Sequence, residues 1–98
     1  MMPKATWNGA LLAEASPDSV QLVDGYVYFP PEAVDRTYLR ESQTRTVCGW
    51  KGTASYYDVV VEGEVNRDAA WTYPVTKPAA EHIAGHIAFW KGVQIEDD

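Results

Sequence analysis

The chain of 98 residues has a single cysteine, Cys48, so it cannot close an internal disulfide or supply a cysteine zinc cage. It is also short of basic residues. Lys and Arg total 8 against 14 Asp and Glu, for a formal net charge of −6. Nucleic-acid binding needs clustered cations that displace counterions, so this balance argues against a nucleic-acid partner. The longest apolar runs, such as Ala10-Leu11-Leu12-Ala13 and Ile87-Ala88-Phe89-Trp90, fall far short of the ~20 residues of a membrane helix, and no membrane partner is expected. The opening Met1-Met2-Pro3-Lys4 lacks the apolar stretch of a secretory signal. The expectation is a cytoplasmic protein forming one domain over residues 1–98, since domains usually span ~100–200 residues.

Aromatic side chains are what the sequence has in plenty. Trp 4, Tyr 6 and Phe 2 make up 12% of the chain, while hydrophobic residues are 46%. Each buried ring removes ~150–250 Å² from water, so a dozen rings can anchor a small core without disulfides. Buried indole N–H and phenol O–H groups also need partners. Such a chain either bonds those groups internally or turns some of them into a cleft.

Turn pairs punctuate the sequence at short intervals. Asn8-Gly9 separates Lys4–Trp7 from Ala10–Glu14, and Asp24-Gly25 separates Val20–Val23 from Tyr26–Phe29. Both pairs favour the type I′ hairpin turn, whose central residues need positive φ. Thr53–Val61 and Glu64–Tyr73 are β-prone stretches joined at Glu62-Gly63 as a third hairpin, and His86–Trp90 with Val93–Glu96 reads as a last one around Lys91-Gly92. Period 2 places Val65, Arg67, Ala69, Trp71 and Tyr73 on one face of their strand. Pro30–Leu39 carries proline at its start with Val34, Tyr38 and Leu39 at helical spacing, and Ala79–Ala84 before Gly85 reads as a second short helix. Glu96-Asp97-Asp98 reads as a solvated acidic tail. The fold class expected is mainly β, with two packed antiparallel sheets in a tent-like or open-barrel arrangement of roughly eight strands and two short helices.

Functional side chains are densest over Cys48–Asp58. Glycines on both sides of Trp50-Lys51 permit a break in the strand that turns these residues toward a cleft. That gives a pocket with an aromatic wall and one cation, suited to a planar or anionic small molecule. The bland alternative is a bulge with Trp50 in the core and Lys51 in solvent. Trp71 and Tyr73 share a face and extend the wall with Trp50 and Tyr56. Cys48 reads as a small buried hydrophobe, or as a nucleophile if a neighbouring cation lowers its pKa. Asp58, in an apolar strand, needs a partner such as Arg45, Arg67 or Lys51. His82 and His86 have helical ligand spacing, but Gly85 ends that helix and no third ligand is assignable, so neither a metal nor a cofactor is expected.

The run Thr46-Val47-Cys48-Gly49-Trp50-Lys51-Gly52-Thr53-Ala54-Ser55-Tyr56 resembles the signature of the bacterial and fungal family called domain of unknown function 427. The resemblance continues at Ala5–Gly9, Tyr28–Glu32, Ala69–Pro74 and Ile87–Phe89. This chain has Gly49 where the family usually carries proline, and Val75-Thr76 where it carries Asp-Pro. The resemblance implies a compact two-sheet antiparallel fold with a pocket between the sheets. It also brings a nucleotidyltransferase-type label, for which the sequence offers no Gly-rich phosphate loop and only Lys51 as a phosphate contact.

The candidate ligand-binding set is Tyr28, Cys48, Trp50, Lys51, Tyr56, Trp71 and Tyr73. Three functions follow from it. The first is a small-molecule-binding domain, and the second an enzyme acting through Lys51, Cys48 or a tyrosine hydroxyl. The third is an interaction module that pairs as a homodimer through exposed aromatic surface.

Overall fold

The computed structural model describes residues 2–97. Among these described residues nine strands follow in order: β1 (Pro3–Trp7), β2 (Ala10–Glu14), β3 (Gln21–Val23), β4 (Tyr26–Tyr28), β5 (Leu39–Cys48), β6 (Gly52–Val61), β7 (Glu64–Thr72), β8 (Ile87–Phe89) and β9 (Gln94–Asp97). The mainly β, antiparallel class expected from the sequence is what forms. The strands make three sheets, with orders β2-β1-β9, β3-β4 and β5-β6-β7-β8.

Three hairpins rest on the turn pairs that the sequence marks. Asn8 and Gly9 have φ of 51° and 80°, Asp24 and Gly25 53° and 82°, and Glu62 and Gly63 51° and 81°. Positive φ at both central residues matches the turn's twist to that of the flanking strands. Lys91 and Gly92 adopt the same conformation, at 55° and 87°, but no hairpin follows. β8 pairs with β7, whereas β9 pairs with β1, placing Ile95 opposite Ala5. The expected last hairpin is therefore replaced by a crossover between sheets. Glu96 and Asp97 lie within β9, opposite Lys4 and Pro3, and so are strand residues instead of a tail. Met1 and Asp98, at the ends of the opening segment and the acidic run, lie outside the described residues.

The two expected helices are 3-10 segments instead: Pro31–Ala33 and Arg36–Tyr38 in place of one helix, and Pro78–Ile83. Asp35 divides the first region. Its backbone is extended, and its side chain accepts the Thr37 N–H as a cap, restarting the turn.

One sheet carries two cores. β4 bonds to β8 through the reciprocal Phe29–Ile87 bridge, both N···O distances 2.8 Å, so the small ribbon continues the four-stranded sheet. On one face of the combined sheet, Phe29, Val59, Ala70, Ile87 and Phe89 pack with Ala5, Leu12 and Ala13 of the three-stranded sheet. On the other, Tyr28, Ala54, Trp71 and Ala88 pack with Ala80 and Ile83 of the last 3-10 segment. Neighbours such as Ala70 and Trp71 thus belong to different cores, as the period-2 alternation of a strand dictates.

β7 is interrupted by a bulge. Tyr57 lies opposite Ala70 and Val59 opposite Asn66, leaving extra residues on β7, with Asp68 at φ 54°. The Asp68 N–H donates to Asp58 Oδ1 (2.9 Å), and its carboxylate accepts from the hydroxyls of Ser42 (2.6 Å) and Thr44 (2.8 Å). The bulge corrects the expected common face for β7. Val65 is 40% exposed, whereas Ala69 and Trp71 are buried.

Candidate functional site

A hollow of about 240 Å³ opens between the β3–β4 ribbon and the four-stranded sheet. The space between the three-stranded and four-stranded sheets is filled by the apolar cluster around Leu12, Phe29 and Val59. Five residues of the expected set line the hollow: Tyr28 from β4, Lys51 from the turn before β6, Tyr56 from β6, Trp71 from β7, and Tyr73 just beyond it. Asp24, Tyr26 and Trp90 line it too and were not anticipated. Asp24 and Tyr26 reach it because the ribbon's turn folds over the sheet, and Trp90 because it leaves β8 toward the same side. The density of aromatic residues in the sequence hints at Tyr26 and Trp90, and nothing in the sequence hints at Asp24.

Trp71 is the hub of this wall. Tyr26 meets it edge-on at 4.9 Å between centroids, Trp90 at 5.6 Å and Tyr28 at 6.1 Å, while Tyr56 is tilted at 6.3 Å. Edge-to-face contacts of this kind add ~0.5–1.5 kcal/mol each beyond burial and hold the rings in fixed orientations. The Trp71 indole N–H donates to the Tyr28 phenol oxygen at 3.2 Å, and that of Trp90 to the Asp68 carbonyl at 2.6 Å. The β7 bulge thus positions Trp90.

Lys51 supplies the cation. Residues 49–51 form the turn between β5 and β6, and the segment after β7 clamps it. The Lys77 N–H donates to the Lys51 carbonyl (3.0 Å), its ammonium to the Gly49 carbonyl (2.7 Å), and Gly52 bridges to Thr76. Gly52 is required here. Its φ is 124°, and a Cβ would lie 3.0 Å from the Val75 carbonyl oxygen. So held, Lys51 is 7% exposed, far from the solvated lysine of the bland reading. Its ammonium bonds to Asp24 Oδ2 and sits 4.9 Å from the Trp50 ring centroid and 5.9 Å from that of Tyr73. Burial favours the neutral amine, but the bond to Asp24 and the phenols of Tyr28 and Tyr73 outweigh it, so the Lys51 pKa rises above the ordinary lysine value. Burial also pushes the phenol pKa values of Tyr28 and Tyr73 upward.

Two residues of the expected set stand aside from the hollow. Trp50 is 41% exposed and covers Lys51 from outside. Cys48 is half-buried against the cluster that contains Trp71. The backbone N–H of Trp50 lowers its pKa, against some desolvation and with help from the Lys51 N–H. Asp58 pairs with Arg40 (2.9 Å), not with the partners considered from the sequence. Among the described residues, no three His, Cys, Asp or Glu side chains cluster as a metal site would require.

A larger hollow of about 760 Å³ lies on the three-stranded sheet, lined by polar side chains such as Lys4, Thr6, Asn8 and Gln94. It has Trp7 as its sole aromatic residue. The smaller one combines an aromatic wall with a buried charge, as ligand sites do. No helix among the described residues is long and apolar enough to cross a membrane.

The family model NTP_transf_9, described as a domain of unknown function (DUF427), matches residues 3–98. No curated protein matches the chain.

Proposed function

The chain belongs to the DUF427 family, and we propose that it is a small-molecule-binding β domain whose hollow takes a planar or anionic ligand. The observation that carries this reading is the buried Lys51 ammonium, 7% exposed, facing the same space as the rings around Trp71. A buried cation is costly unless paired, and an aromatic wall offers a flat surface for a ring. At about 240 Å³ the hollow lies just below the ~300–1,000 Å³ of drug-sized sites, so it suits a single-ring compound better than a nucleoside triphosphate.

Binding fits the site better than proton transfer does. A general acid or base works best with a pKa near the operating pH, and Lys51, Tyr28 and Tyr73 are all shifted upward, away from neutrality. The enzyme reading through Lys51 and Cys48 also loses support, since Cys48 does not line the hollow.

Titration with small aromatic acids and amides, followed by tryptophan emission, tests the proposal. A saturable change is expected in the native protein and is weakened by Tyr26→Ala, which trims a 37% exposed part of the wall without touching the deep core. Absence of saturable change with every probe up to millimolar concentration overturns it.

A further inference from the structure

The ion pair between Lys51 and Asp24 is unequal. The Lys51 side chain is 9% exposed and fixed by the clamped turn, whereas that of Asp24 is 55% exposed at the tip of the β3–β4 ribbon. The ribbon's outer strand carries Leu22, which is 74% exposed, and the tip is held by Val23 against the cluster around Trp71, by Tyr26 edge-on to Trp71 and by Asp24 on Lys51. We propose that the Asp24 carboxylate occupies the place of a ligand carboxylate, and that the site selects aromatic monocarboxylates, which displace Asp24 from Lys51. This rests on the ligand-binding reading above and names the ligand class.

The argument follows from charge conservation at a buried site. Removing Asp24 without replacement strands a desolvated ammonium, which is strongly unfavourable. A ligand carboxylate entering as Asp24 leaves keeps that ammonium paired throughout. Asp24, already more than half exposed, regains its hydration at little cost. A neutral ligand cannot make this exchange, and a cation would stand beside Lys51 uncompensated. The carboxylate's ring then lies against the wall centred on Trp71, within a volume of about 240 Å³ that admits one ring and one acid group.

Benzoate and its neutral isostere benzamide, titrated by tryptophan emission and calorimetry, provide the test. In Asp24→Asn the internal competitor is gone and its repulsion with it. The benzoate-to-benzamide affinity ratio is expected to rise about tenfold over the native protein, the scale of one charge-assisted hydrogen bond. In Lys51→Met the same ratio is expected to fall below the native one. A ratio that is unchanged or lower in Asp24→Asn overturns the displacement. If both probes still bind in that case, the ligand-binding reading stands alone. If neither probe binds the native protein or Asp24→Asn, both readings fall.

Discussion

The Trp71 indole N–H and the Tyr28 phenol oxygen, 3.2 Å apart and both buried, join strands that are 43 residues apart in the chain. The ring centred among the wall's aromatics is therefore tied from β7 to β4 by this hydrogen bond as well as by its ring contacts. Removing the acceptor in Tyr28→Phe leaves the indole N–H buried and unpaired, at a cost of about 1–3 kcal/mol. Urea unfolding checks this, with a lowered midpoint at unchanged slope.

Gly52 and Gly49 flank Trp50-Lys51 but differ in what they tolerate. Gly52→Ala places a Cβ 3.0 Å from the Val75 carbonyl oxygen at a φ of 124°. A loss of about 1–3 kcal/mol is expected, with weakened ligand binding because Lys51 shifts. A Cβ on Gly49 meets nothing within 4 Å, and φ there is not positive. Gly49→Ala is expected to change stability by less than about 0.5 kcal/mol. Thermal melts of the two variants side by side decide the matter.

Asp58 is 6% exposed, and its carboxylate holds the bulge by accepting the Asp68 N–H at 2.9 Å. Burial raises its pKa, but the Asp68 N–H, then Arg40 and Arg67, more than reverse this and leave it below the usual carboxylate value. Its stabilisation is complete above the unfolded-state pKa of ~3.9 and disappears as pH falls through the lower folded value. The amide oxygen in Asp58→Asn still accepts the Asp68 N–H, so the loss at neutral pH is the charge assistance of that bond and the pairing with the half-exposed Arg40, about 1 kcal/mol. Unfolding curves of native protein and variant are expected to start approaching each other below about pH 4 and to meet only below the depressed folded value.

Lys51 behaves in the opposite sense. Its folded pKa is raised, so its pairing with Asp24 is intact below the ordinary lysine value and is lost as pH rises through the folded one. Benzoate affinity is accordingly expected to be flat between about pH 6 and 9 and to fall only in stronger alkali. A decline already near neutrality contradicts a raised Lys51 pKa.

Cys48 is half-buried, and the backbone N–H groups beyond it favour the thiolate. Its alkylation by iodoacetamide is expected to reach half its maximal rate below the ~8.5 of a free thiol. A rate that tracks free glutathione across the pH range refutes this.

The turns were legible because their chemistry is local. Asn8-Gly9 and Asp24-Gly25 specify positive φ whatever surrounds them, and both form hairpins. Lys91-Gly92 has the same conformation, yet the strands on either side join different sheets. Strand partners are chosen by packing, which a two-residue signal does not encode. Asp68 left no trace, since an aspartate in left-handed geometry follows no period and is stabilised by Asp58 and the hydroxyls of β5, all distant in sequence. Within the site, Trp71 and Tyr73 were readable from strand alternation near a segment rich in functional side chains. Asp24 was not: its place in an Asp-Gly turn accounts for its backbone alone, and its side chain pairs with Lys51, 27 residues away in sequence.

Ala70 and Trp71, adjacent on β7, each seal a different apolar cluster. The backbone between them is a party wall, and neither compartment can open without loosening the same ladder of amides. Hydrogen exchange in β6 and β7 is expected to proceed only through global unfolding, with both cores as one cooperative unit. The β3–β4 tip, tied down by the Tyr26 ring, the half-buried Val23 and one carboxylate, exchanges far sooner.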